Sequence, residues 1–494
     1  MSSRTYRMLL AALAAGSMLQ SAATVTRADE VGVSSAAEIT EALKIAKPGD
    51  VLVMTDGDWK DQMIKVTGKG TKEEPIELRA QTPGKVKLLG NSSVMLAGDW
   101  CVVSGVFFGE STSEEPAVAF VGNDNRFTDS AIVSQDRGGK WIHFRQGQRN
   151  RLDHCYIEGH ELKEPTLQVE IDEKTPNEAR IDHNHFGPRP PLGANGGETM
   201  RIGYSGQQTR VSRTLVEHNL FDRCDGEVEI ISSKCTDSTY RYNTFRDCEG
   251  TITLRHGGHC TVDGNFFFGK SNGKSGGVRV IGAGHTIVNN YFENVGTSGG
   301  GGVIALTSAM REPKPTDYQH VNGALVAFNT IVNSGLPYVR LDSGFNPERA
   351  RDVLPKDVIV ANNLFLAGNT EIKGEGNTLV DGREGTGFKW SGNLAHGAEA
   401  GAGTAASGIR DVDPKLKKGD DGVYRPGADS PARDAAIEAD FAKVEKDIDG
   451  QPRSGKKDVG ADELSDAKPM NKPVSPANVG PSWMKPPRDG AKTE

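Results

Sequence analysis

Glu227 and Glu229 stand two residues apart in the phrase Gly226-Glu227-Val228-Glu229-Ile230-Ile231, and Lys234 follows shortly after. In an extended strand such a pair shares one face, and no cation stands opposite the two carboxylates. Like charges held that close repel unless a cation binds between them. The neighbouring segment is built alike. Phe221-Asp222-Arg223-Cys224-Asp225-Gly226 aligns without gaps on Phe245-Arg246-Asp247-Cys248-Glu249-Gly250, and the strand that follows the second copy ends on Arg255-His256. Alternation puts Val228, Ile230, Ile252 and Leu254 inside, with Glu227, Glu229, Thr251, Thr253 and Arg255 outside, on rungs ~4.8 Å apart. One copy back, Met200 and Ile202 point in and Thr199 and Arg201 out. One copy forward, Val278 and Val280 point in and Arg279 out. The expected outer column is therefore Arg201, Glu229, Thr253 and Arg279, with Glu227 and Arg255 beside it and Lys234 just past the strand end. Such a local cluster can hold an anionic ligand.

Only a repeat could keep these residues in register, and the chain contains one. A short phrase returns at Asn184-His185-Phe186, Asn219-Leu220-Phe221, Asn243-Thr244-Phe245, Asn265-Phe266-Phe267, Asn290-Tyr291-Phe292, Asn329-Thr330-Ile331 and Asn363-Leu364-Phe365. Each copy follows a short β-type stretch, and the shorter intervals are 22 to 25 residues. That period marks a solenoid with one coil per repeat. Leucine-rich repeats share the length but not the leucine framework, and an antiparallel sandwich would not space its asparagines so evenly. The sequence predicts an all-β fold, a single-stranded right-handed parallel β-helix. Each coil carries two or three strands, asparagine stacks on asparagine at a turn, and the longer intervals, such as 290 to 329, are loops thrown out from one face.

The β-helix domain is expected over 29–410. At its start, residues 34–47 read as an amphipathic helix that closes the first coil, with Ser35 as N-cap and Glu38 three residues on. C-terminal coils or a cap are expected over 411–466 and a loosely ordered tail over 467–494. Residues 1–28 read as a cleavable signal peptide. Arg4 and Arg7 precede the apolar run Met8 to Ala15, which is shorter than the ~20 residues a membrane span needs, and cleavage is expected near Ala28. The mature protein is then secreted or periplasmic, with no membrane span. Glycine accounts for 60 of the 494 residues, against a usual ~7%, as many tight turns require. A net charge of −8 argues against a nucleic-acid partner. The six cysteines include no CxxC pair, which argues against a zinc ribbon or a thioredoxin-type site. Stacking of Cys224 on Cys248 is compatible with a disulfide or with reduced, inward-facing thiols.

At these residues the sequence resembles polysaccharide lyase family 6, the β-helical alginate lyases and chondroitinase B. The matching text is Asn195-Gly196-Gly197-Glu198-Thr199, then 226–234, then Tyr240 to Cys248, and Leu254-Arg255-His256-Gly257. The resemblance implies β-elimination on a uronate-containing polysaccharide, alginate in the first place and dermatan sulfate as the close alternative. It implies Lys234 as the base that removes the C5 proton and Arg255 as the acid near the leaving oxygen. Asn195, Glu227 and Glu229 would hold Ca²⁺ against the uronate carboxylate, and His256 would be a substrate contact. Arg201 and Arg279, placed by register, would meet neighbouring uronates. The chemistry is coherent, because removing a proton next to a carboxylate builds a dianion that a divalent cation stabilises. One departure concerns 296–306, where relatives commonly carry a substrate-facing arginine and this chain has none before Arg311. Two other classes stay in view. A non-catalytic glycan-binding solenoid would lack the co-located lysine, arginine and carboxylates, and a pectin-type hydrolase would need clustered aspartates.

Overall fold

The computed structural model describes residues 30–133, 138–270, 272–368, 371–401, 403–437 and 444–484. The signal peptide read at 1–28 and the last ten residues of the tail lie outside them. Three long sheets run the length of the molecule, and every pairing within them is parallel. The first has fourteen strands, from Glu30–Val33 to Lys389–Ser391. The second has twelve, from Met63–Val66 to Val380–Asp381, and the third fourteen, from Gly57–Lys60 to Ile409–Asp411. The chain visits the three sheets in turn, so each coil contributes three short strands and the fold is the expected parallel β-helix. Among the described residues no helix is long and apolar enough to cross a membrane.

The asparagine phrase does what its spacing predicted. Asn184 Nδ2 donates to Asn219 Oδ1 at 3.0 Å, and the same bond repeats through Asn243, Asn265, Asn290, Asn329 and Asn363 to Asn393. Each Oδ1 also accepts the backbone N–H of the asparagine one coil earlier. These buried amides are therefore satisfied along the axis, as an apolar interior demands. Beside them Phe186, Phe221, Phe245, Phe267 and Phe292 stack with ring centroids 4.6–5.1 Å apart. On the outer side of the first sheet an ionic ladder runs between coils. Arg126 pairs with Asp153, Arg151 with Asp182, and Arg180 and Arg241 with Glu217, all at 2.5–2.8 Å.

The helix Ala36–Leu43 closes the first coil with Ile39 and Leu43 buried. Ser35 Oγ accepts the Glu38 N–H at 3.2 Å, and the Glu38 carboxylate reaches back to the Ser34 amide. The other end differs from expectation. After Ile409–Asp411 the described residues add no more coils. It forms an antiparallel hairpin, Leu416–Lys418 with Tyr424–Pro426, and packs Val423, Ile448 and Ala461 against Phe266, Tyr291 and Val332 on the outside of the stack. The loosely ordered tail needs a second correction, because 467–484 is docked. Val474 and Val479 pack on Leu220, the Val474 N–H donates to Thr244 Oγ1, and the Trp483 indole donates to Asp129 O. The apolar side chains that anchor it are spaced too irregularly to have been read as an element. All six cysteines are buried and unpaired, which resolves the alternatives for Cys224 and Cys248 in favour of thiols.

Candidate active site

The candidate residues lie on the second sheet, at strands Met200–Ile202, Glu229–Lys234, Gly250–His256 and Ser275–Val280. Met200, Ile231, Ile252 and Val278 stack inward, and Arg201, Ser232, Thr253 and Arg279 stack outward. The expected column is therefore corrected at one place, where Ser232 stands instead of Glu229. The cause is a bulge. Glu229 pairs with Thr251 and Ile231 with Ile252, so Ile230 is an extra residue, and both isoleucines are buried. Strict alternation fails there, and Val228, expected inside, is 47% exposed. A second irregularity pairs Lys234 with His256 and leaves Arg255 without a register partner. Bulges re-aim side chains, and these two turn Glu229, Lys234 and Arg255 toward one cavity of about 700 Å³. Asn195, Glu227 and Tyr318 also line it.

The carboxylate pair is a trio. One oxygen each of Glu198, Glu227 and Glu229 lies within 4.8 Å of the others. The Gly196 N–H donates to Glu227 at 2.9 Å, yet burial, with Glu198 and Glu229 beside it, pushes the Glu227 carboxyl up to about 7. Glu198 Oε2 is buried with no hydrogen-bond partner among the described residues. Three converging hard oxygen donors, one of them left unpaired, fit a divalent cation of the calcium type. Asn195 borders the same space.

Lys234 Nζ lies 3.8 Å from Glu198 Oε1. Burial, aided by Arg201 and Arg255, holds its pKa below the usual lysine value despite the nearby glutamates. Arg255 Nε is 4.0 Å from Glu229, and its guanidinium stacks 4.4 Å above the Tyr318 ring. His256, expected as a substrate contact, is only 1% exposed and does not line the cavity. Burial and the charges of Arg255 and Lys234 push its pKa down to about 3, so the ring is neutral. It lies behind Arg255, Nη1 to Nδ1 3.4 Å. Arg201 pairs with Glu164 at 3.1 Å and lies 3.8 Å from Glu198, while Arg279 lies 3.9 Å from Glu229. Both brace the carboxylates from either side.

Three residues escaped the sequence reading. Glu198 shares a parity with the buried Met200, so strand alternation alone would point it inward, and it lies just past the turn at Gly196-Gly197. Tyr318 sits in the long excursion between Asn290 and Asn329, where only the interval length signalled a loop. Arg279, Arg255 and Arg351 surround it, and their charges outweigh burial to hold its phenol below the ordinary range. Arg189 is fully buried beneath the trio. It donates to Leu162 O, Glu164 O, Thr166 Oγ1 and Glu198 O at 2.5–3.2 Å. Gly226 is glycine because a Cβ there would stand 2.6 Å from Arg189 Nε and 2.1 Å from Gly197 O.

The family described as Chondroitinase B matches residues 33–434. Among solved structures the chain is similar to the PL6 family alginate lyase AlyGC, with a TM-score of 0.77 and 31% identity. That likeness covers 92% of this chain and 59% of AlyGC, so the chain spans little more than half of that relative. It is similar to a mannuronic acid specific polysaccharide family 6 lyase from human gut microbiota, with a TM-score of 0.68 and 27% identity over 78% of this chain and 91% of that one. The PL6 family polysaccharide lyase Pedsa3628 from Pseudopedobacter saltans shares the fold, with a TM-score of 0.67 and 23% identity over 92% of this chain and 99% of that one. Comparison with curated proteins gives no match.

Proposed function

Because the chain belongs to the chondroitinase B family, polysaccharide lyase family 6, we propose that it cleaves a uronate-containing polysaccharide, alginate, by β-elimination. The observation that carries this reading is the convergence of Lys234, Arg255 and the trio Glu198, Glu227 and Glu229 on one cavity. The described relatives at 27% and 31% identity are lyases of alginate and of mannuronic acid, which supports the substrate. On the same reading the protein works outside the cytoplasm, guided there by residues 1–28.

Glu198, Glu227 and Glu229, with Asn195, would hold Ca²⁺ facing the uronate carboxylate, and when bound it would neutralise the charge that develops there. Lys234 Nζ, its pKa held below the usual lysine value by burial, accepts the C5 proton. The electron pair of the C5–H bond becomes the C4–C5 double bond and the C4–O4 bond breaks. Arg255, held by Tyr318 and His256, donates a hydrogen bond to the departing O4 and passes it a proton, which Arg255 regains from solvent. Arg201 and Arg279 keep Glu198 and Glu229 in place and add positive field for neighbouring uronates.

The test follows absorbance at the unsaturated-uronate band, with alginate and dermatan sulfate in parallel, with and without chelator. A chelator-sensitive rise on alginate is expected. A rise on dermatan sulfate alone moves the substrate, and no rise on any uronan removes the lyase reading. An activity indifferent to chelator removes the calcium.

A further inference from the structure

On the second sheet the outward column through the site continues past Arg279 as Ala305 and Arg340. Ala305 belongs to the stretch 296–306, which carries no arginine. It faces outward, yet it is 1% exposed. Main chain covers it. Residues 297–302 fold into a turn closed by the Gly301 N–H on Thr297 O at 2.9 Å. A Cβ on Gly300 would stand 2.4 Å from the Ala305 Cβ and 3.8 Å from Arg279 Cγ, so no arginine fits beneath the turn. The same turn reaches back along the start of the sheet. A Cβ on Gly299 would meet Thr251 Cγ2 at 3.1 Å and Val228 O at 3.5 Å, and Ser298 lines the cavity. Beyond it Arg340 is engaged by Asp342 at 2.8 Å and by Asp381 at 3.0 Å. On the other side of Lys234 the column continues as Arg201, with Lys140 sharing Glu164.

We propose that residues 297–302 close the substrate groove one coil past Arg279. A polyuronate then enters from the N-terminal coils, stops against this turn, and is cut close to its end. Two rungs, roughly 10 Å, separate Thr253 from Ala305, which leaves room for only a short stretch of sugar beyond the scissile bond. The enzyme is therefore exolytic and releases short unsaturated products. The inference rests on the lyase reading and deepens it.

The test digests high-molar-mass alginate with the full-length protein and follows viscosity and uronate absorbance in one sample, with chromatography of early products. Absorbance that climbs while viscosity barely falls, with the shortest products present from the first time point, is the expected result. Early collapse of viscosity with a ladder of intermediate sizes overturns the inference and leaves the lyase reading standing. No absorbance on any uronan overturns both. In a second protein residues 298–301 are deleted, and circular dichroism checks its fold. Intermediate oligomers are expected from it, and an unchanged product profile overturns the role of the turn.

Discussion

Lys234 and Arg255 differ in how replaceable they are. Lys234 is buried and flanked by two guanidiniums, which together hold its pKa down, and as the proposed base its loss in Lys234→Ala should cost about 10²–10⁴ in kcat/KM. Thermal melting should be nearly unchanged, and full retained activity would remove the base assignment. Arg189 makes the opposite case, since it touches no cavity surface and holds four oxygen acceptors. Arg189→Met removes a buried donor from each of those acceptors and should lower stability by about 2–4 kcal/mol, measured by urea unfolding; a change within error would show that water replaces the guanidinium. The positions of Glu227, Glu229, Lys234 and Arg255 were legible at this scale, because two neighbouring coils that align without gaps put them on or beside one outer face. Glu198 and Arg189 were not legible. Their placement depends on a turn and a close backbone approach that no alternation pattern encodes.

At the scale of the sheet, the outer ladder on the first sheet is a stability device with a defined pH window. Burial alone would raise the Asp182 pKa, but hydrogen bonds from His183 and Arg151 and the charges of Arg151 and Arg180 outweigh it, holding the carboxyl below its ordinary range. A depressed carboxyl contributes stability above its unfolded value of ~3.9 and loses it as pH falls through the folded one. Asp182→Asn should therefore cost about 2–4 kcal/mol near neutrality, with the deficit fading below pH 4. Guanidinium unfolding of both proteins at pH 7 and pH 3 checks this, and a deficit equal at both values would assign the effect to packing. The asparagine phrase announced its ladder because each amide must bond along the axis, a requirement that residue type and spacing both express. The bulge at Ile230 was invisible for the converse reason. An extra apolar residue in an apolar run changes the register of every neighbour without changing the composition.

Over the whole molecule, the β-helix was readable from the period of the repeat, while the return of the C-terminal segment along its outside was not. That segment carries few apolar residues, and its partners, Leu220, Thr244 and Asp129, are set by the solenoid it lies on. Removing residues 467–494 should expose Leu220 and lower the melting temperature by several degrees, while activity at 25 °C stays near that of the full chain. An unchanged melting temperature would show that the docking carries no stability.

A stack of coils in which each touches only its neighbours can begin forming anywhere and spread by local zipping. The bond from Trp483 to Asp129 joins residues 354 positions apart, which no local step can close. It gives the molecule a finishing order: the early coils receive their last contacts only when residues up to 483 have been delivered. A polypeptide interrupted before residue 483 would then leave the coil around Asp129 without its final contact.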